Sequence, residues 1–145
     1  MKYVLLVSHG GLSQGLKSTL SMFAGDKIAE VRALSLEPDQ SVDEFGKVCR
    51  ESLADLGVDD SVVVLADIVG GSPLTTLCGV LDDLGKLDTA TVLGGMNLPM
   101  ALTTLVMKDA LQGSDLASAV LAEAGSALQE FVIESSDADD EDDDI

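Results

Sequence analysis

The single histidine of the chain, His9, stands in the stretch Val7-Ser8-His9-Gly10-Gly11, just past an apolar run. A neutral imidazole is a nucleophile near neutral pH. To attack through Nε2 it must keep its proton on Nδ1, and a carboxylate accepting that proton fixes both tautomer and ring orientation. The same carboxylate stabilises the positive charge that develops on the ring during attack. Asp67, in the stretch A-D-I-V-G-G-S-P-L, follows another apolar run and is the candidate. Beyond it, Gly70 and Gly71 allow backbone N–H groups to turn towards a ligand. Ser72-Pro73 then signals a helix start, with a hydroxyl able to cap and a ring that pre-sets the first helical dihedral. A helix N-terminus attracts anions through its unsatisfied N–H groups and its dipole. A phosphoryl group delivered to Nε2 would meet the Ser72 hydroxyl and the N–H groups from Gly71 to Leu74. Positioning and electrostatics are nearly all that phosphoryl transfer asks of a protein.

The elements that must hold these groups follow from periodicity. Tyr3–Val7 reads as a strand, and Leu12, Leu16, Leu20 and Phe23 recur at helical spacing up to Gly25. Residues 28–36 form a second strand, broken by Pro38. Ser41 and Glu44 have capping-box spacing for a helix whose apolar face, from Val42 to Leu56, ends at Gly57. The third strand covers residues 62–65, and its helix stops at Gly85. Residues 89–93 make a fourth strand, followed by Gly94-Gly95-Met96-Asn97-Leu98-Pro99 and a helix from about Met100 to Gln112. Asp115 opens a fifth helical segment. Phe131-Val132-Ile133 either closes that helix or forms a short strand. Alternating strands and helices at this spacing predict an α/β fold, an open doubly wound and largely parallel sheet of four strands flanked by helices. In such a sheet the strand-to-helix turns share one edge, where ligands bind near the topological switch point. Three of those four turns carry a Gly-Gly pair. The edge is therefore expected to gather His9, Gly10, the Asp67–Ser72 segment and Asn97 into one crevice.

The 145 residues are expected to form one domain over residues 1–134, with an acidic tail at 135–145. The formal charge of −18 excludes nucleic acid as a natural partner, because phosphate backbones seek basic surfaces. Seven of the 26 acids lie between Asp137 and Asp144, so the remainder still carries −11. Seven mutually repelling carboxylates without an apolar anchor before Ile145 predict a solvated, disordered tail. The acidic remainder suits a basic protein partner. No apolar run approaches the ~20 residues of a membrane span. A strand starting beside Met1 leaves no room for a signal peptide, so a cytoplasmic protein is expected. Cys49 and Cys78 fall among apolar helical positions and read as two buried thiols. With one histidine in the chain, neither a metal site nor any other cofactor is expected.

Three motifs in order, V-S-H-G-G-L, A-D-I-V-G-G-S-P and G-G-M-N-L-P-M, resemble the enzyme IIA components of the mannose-type family of the sugar phosphotransferase system. The resemblance spans about residues 1–133. It implies a cytoplasmic phosphocarrier that takes a phosphoryl group from the histidine-containing phosphocarrier protein. The group then passes to a IIB component, which phosphorylates a sugar during transport through the membrane IIC/IID transporter. Carried onto this chain, His9 is the phosphorylated residue, Asp67 its hydrogen-bonding carboxylate, and Ser72 lies at the phosphoryl site. The resemblance also implies a homodimer with exchanged C-terminal strands, placed here at residues 131–133. Many relatives have an aromatic residue where this chain has Val69, and Phe-Asn where it has Leu74-Thr75. Those positions flank the site, so they bear on partner and sugar rather than on phosphate acceptance.

Rival readings fail on a count of one. Metal-inserting chelatases, which the opening L-L-V-S-H-G also resembles, need further ligands for the metal, and histidine phosphatases need a second histidine and an arginine where Ser8 stands. The phosphocarrier subunit of the dihydroxyacetone kinase system is nearer, but the intact Gly-Gly-Ser-Pro favours the sugar-transport branch. A regulatory module of the same fold, or a ligand-binding module with an inert histidine, completes the alternatives.

Overall fold

A computed structural model describes residues 1–135. Among them, four strands alternate with five α-helices: β1 (Lys2–His9), α1 (Leu12–Ala24), β2 (Val31–Leu36), α2 (Val42–Leu53), β3 (Ser61–Ala66), α3 (Ser72–Asp83), β4 (Thr91–Gly94), α4 (Leu98–Met107) and α5 (Gly113–Ser126). The sheet is parallel throughout, in the order β2-β1-β3-β4. The expected fold class is the one observed.

The side-chain period of two sorts each inner strand between two cores. Val4 and Leu6 of β1, with Val63 and Leu65 of β3, pack under α1, α4 and α5 against Leu20, Met100, Leu105, Leu116 and Val120. Leu5 and Val7, with Val62, Val64 and Ala66, pack under α2 and α3 against Phe45, Cys49, Leu77 and Leu81. Both inner strands are buried on two faces, which is why they read as unbroken aliphatic runs.

The connections set the site. From β1 the chain runs outward to β2, then crosses back to β3 on the other side of β1 and continues outward to β4. The switch point is thus the gap between the carboxyl ends of β1 and β3. Ladder pairing of Val7 with Ala66, the last residue of β3, sets the carboxyl ends of the two strands side by side.

Several boundaries differ from the sequence reading. Residues 25–30, whose second half was expected in the second strand, form a 3-10 helix, Gly25–Glu30. Ile28 of that segment packs on the α1/α4/α5 core. The buried ammonium of Lys108 pairs with Glu30, and Lys27 pairs with Asp109 at 3.0 Å, so charge pairs anchor a segment whose apolar alternation suggested extension. Helix α4 ends at Met107 rather than near Gln112, because the chain turns where Lys108 goes inward, and Gly113 opens α5 instead of closing α4. Helix α2 stops at Leu53, short of Gly57. The Ser41–Glu44 capping box forms, with Glu44 N–H donating to Ser41 Oγ and Ser41 N–H to Glu44 Oε1. Cys49 is fully buried, which pushes its thiol up to about 12, whereas Cys78 is only half-buried. Residues 131–133 belong to neither helix nor strand and are exposed. Ten residues of the acidic stretch, 136–145, lie outside the described residues.

Candidate functional site

His9 is the last residue of β1 rather than the first beyond it. It shares the parity of Leu5 and Val7, so its side chain emerges on the α2/α3 face and meets the turn that enters α3. Its Nδ1 lies 2.8 Å from Asp67 Oδ2, and its backbone N–H donates to the same oxygen at 2.9 Å. Ile68 N–H donates to the other oxygen, Oδ1, at 2.8 Å. Asp67 is itself held to β1, its N–H donating to Val7 O at 3.1 Å. The ring is half exposed, while the carboxylate is 12% exposed. Burial pushes the Asp67 carboxyl up, but the hydrogen bonds from the His9 backbone and ring and from Ile68 N–H outweigh burial and hold it below its ordinary value. An ionised acceptor at Nδ1 leaves Nε2 as the nucleophilic nitrogen.

Gly71 forms the shelf beneath the ring. A Cβ built there would stand 2.8 Å from His9 Cε1 and 3.4 Å from Nε2. The backbone at Gly71 is extended, with φ −86° and ψ 163°, so space and not dihedral freedom demands glycine. Gly71 is also the N-cap residue of α3, which corrects the expectation that the Ser72 hydroxyl caps the helix. Without a side-chain cap, the first-turn N–H groups of α3 stay directed at the ring's edge of the sheet. Pro73 removes one of them, Thr75 N–H bonds back to Gly71 O, and those of Ser72 and Leu74 remain. Ser72 is exposed at the rim, whereas Leu74 is buried and presents only its backbone.

Gly10 follows His9 at φ +57° and Gly70 precedes the shelf at φ +89°, both in the left-handed region that favours glycine. Asn97 is engaged at the start of α4. Its side-chain oxygen accepts from Met100 N–H at 2.8 Å, capping α4, and it borders a groove with Gly11, Leu12, Gly15, Leu16 and Met96 that does not include His9 or Asp67. An Asn before Leu-Pro is itself a capping signature.

Charge is distributed in keeping with an anion. The chain has 26 acids, yet the first turns of α1 and α3, which start beside His9, hold none, nor does that of α4. Those of α2 and α5 do. Exposed Leu12, at the start of α1, and exposed Ile68 and Val69, in the loop after β3, supply apolar surface at this edge. One group escaped sequence reading: Ser8, fully buried, whose Oγ accepts from Ser13 N–H at 2.8 Å and donates to Gly10 O at 3.1 Å. Its parity with Val4 and Leu6, which points it at α1, was the available signal.

A family model described as "PTS system fructose IIA component" matches residues 3–121. The chain belongs to this family. The fructose-specific EIIA component of Bacillus subtilis is 24% identical over 126 residues, covering 87% of this chain and 84% of that protein. The mannose-specific EIIAB component of Escherichia coli K12 is 25% identical over 122 residues, and the chain spans only 36% of its length. The mannose/sorbose-specific IIA subunit of Enterococcus faecalis has the same fold, with a TM-score of 0.75 at 24% identity over 94% of this chain and all of that one. IIA membership carries a general role in phosphoryl transfer during sugar uptake. No helix among the described residues is long and apolar enough to cross a membrane.

Proposed function

We propose that this IIA chain is a phosphohistidine carrier. His9 Nε2 attacks the phosphorus of a phosphohistidine on the histidine-containing phosphocarrier protein. As the new N–P bond forms, the donor's N–P bond breaks and the donor ring leaves neutral. The Nδ1 proton stays on His9, held by Asp67, which offsets the charge gained by the ring. Onward transfer reverses these steps towards a IIB component, which phosphorylates a sugar as the IIC/IID transporter carries it across the membrane. The observation that carries this reading is the 2.8 Å contact from Nδ1 to Asp67, with Nε2 set over Gly71 at the open N-terminus of α3. Half exposure of the ring and the apolar surface of Leu12, Ile68 and Val69 suit a protein donor, since the phosphoryl group must be exchanged between two proteins in contact.

The same reading makes the protein a cytoplasmic homodimer. Strand β4 is an edge of the sheet, and Phe131, Val132 and Ile133 are exposed apolar residues beyond α5. Exchange of residues 131–133 onto the partner's β4 would cover both.

Intact mass after incubation with phosphoenolpyruvate, enzyme I and the phosphocarrier protein tests the carrier role. One acid-labile phosphoryl group on the wild type, absent from a folded His9→Ala variant, is the expected result. No mass gain, with the upstream proteins active on another IIA, would refute it. Uptake without transfer to any IIB component would leave the regulatory module as the better reading.

A further inference from the structure

Asp67 orients the ring of His9, but something else must hold the backbone from which the ring projects. That backbone is the last residue of an edge-facing strand end, followed by Gly10 in the left-handed region and by Gly11, a cap residue without a side chain. Such a sequence is floppy unless it is tied down. Ser8 ties it twice. Its hydroxyl proton goes to Gly10 O, a link that spans His9, and its oxygen accepts from Ser13 N–H in the first turn of α1. Gly10 N–H donates in turn to Leu36 O at 2.8 Å. His9 therefore sits between two anchored residues, with its own N–H on Asp67. The Ser8 hydroxyl also does for α1 what Gly11 cannot, capping the helix from three residues upstream without placing a side chain beside the ring.

The geometry points to Ser8 as a positioning residue for phosphoryl transfer, acting through the His9 backbone; this rests on the carrier reading of His9. Without its hydroxyl, Gly10 O and Ser13 N–H lose their partner, Gly10 is free to leave φ +57°, and the ring drifts over the Gly71 shelf. Displacements of about 1 Å at a reacting group cost up to roughly 10²-fold in rate.

Ser13 provides the control. Its hydroxyl is as buried as that of Ser8 and donates to Leu34 O at 3.0 Å, while Ser35 Oγ lies 2.7 Å away, but this side chain only bolts α1 to β2. Ser13→Ala leaves the N–H donated to Ser8 in place. The test compares Ser8→Ala, Ser8→Thr and Ser13→Ala by initial rates of phosphoryl uptake against donor concentration, by thermal unfolding, and by the 15N ring spectrum of the sole histidine. Ser8→Ala should lower kcat about tenfold or more with KM for the donor unchanged. It should also change the ring tautomer signal. Ser8→Thr should restore most of both. Ser13→Ala should match Ser8→Ala in lost thermal stability and leave kcat and the ring signal as in wild type. Equal kcat losses in Ser8→Ala and Ser13→Ala, or a ring spectrum indifferent to Ser8, would overturn the proposal. If wild type takes up no phosphoryl group, the carrier reading falls, and the ring spectrum alone decides whether Ser8 positions His9.

Discussion

One oxygen of Asp67 serves two donors: Oδ2 accepts from both the backbone and the ring of His9. The carboxylate therefore couples the strand end to the imidazole, and its loss should misplace the ring as well as remove charge. Asp67→Ala is expected to slow phosphoryl uptake by roughly 10²-fold, the scale of losing a preorganised stabiliser. Rapid-quench rates check this, and an unchanged rate removes Asp67 from the mechanism. Its native pKa lies below the ordinary 3.8, so its contribution to stability is fully present above that value and vanishes as pH falls through the lowered one. Asp67→Asn should accordingly flatten the acid limb of the stability curve below about pH 4, read by denaturant titration at several pH values. Gly71→Ala separates space from dihedral freedom. Its backbone accepts alanine, but the new methyl collides with His9 Cε1, so uptake should collapse in a variant that still folds. Gly70→Ala, at φ +89°, should instead cost ~1 kcal/mol or more of stability through strain.

At the scale of elements, the strands and the helix order were legible because both inner strands are aliphatic runs and each helix carries an apolar stripe. Where the reading slipped, long-range pairs decided local structure. Residues 28–30 continue the looser alternation of the second strand, yet Lys108, 78 residues beyond Glu30, holds them in a 3-10 helix. A buried lysine reads as polar surface from sequence, which also extended α4 past its end. His9 and Asp67 were legible by type and position at neighbouring strand ends. Ser8 was not, since a serine before histidine is unremarkable until strand parity turns it inward. The Ser41 capping box was legible and is remote from the site. Ser41→Ala should cost about 1 kcal/mol in chemical denaturation and leave phosphoryl uptake untouched.

Across the whole molecule, the doubly wound order places the switch point between β1 and β3, with His9 the last residue of β1 and Asp67 the first beyond β3. Sequence places residues 131–133 as helix end or strand without deciding, because three apolar residues acquire a conformation only from the surface they cover. They are exposed in the single chain. Under the proposed strand exchange, removing residues 131–145 should leave a monomer by sedimentation velocity where the full-length chain is a dimer, and a truncated chain that sediments as the full-length one does would discard strand exchange. The measurement that bears most directly on the site is the 1H–15N ring spectrum of the phosphorylated protein, in which the only histidine signals come from His9. With Nδ1 protonated against Asp67, the phosphorus must appear on Nε2. Phosphorus on Nδ1, or a ring that remains unmodified while another residue is phosphorylated, would contradict the geometry described above.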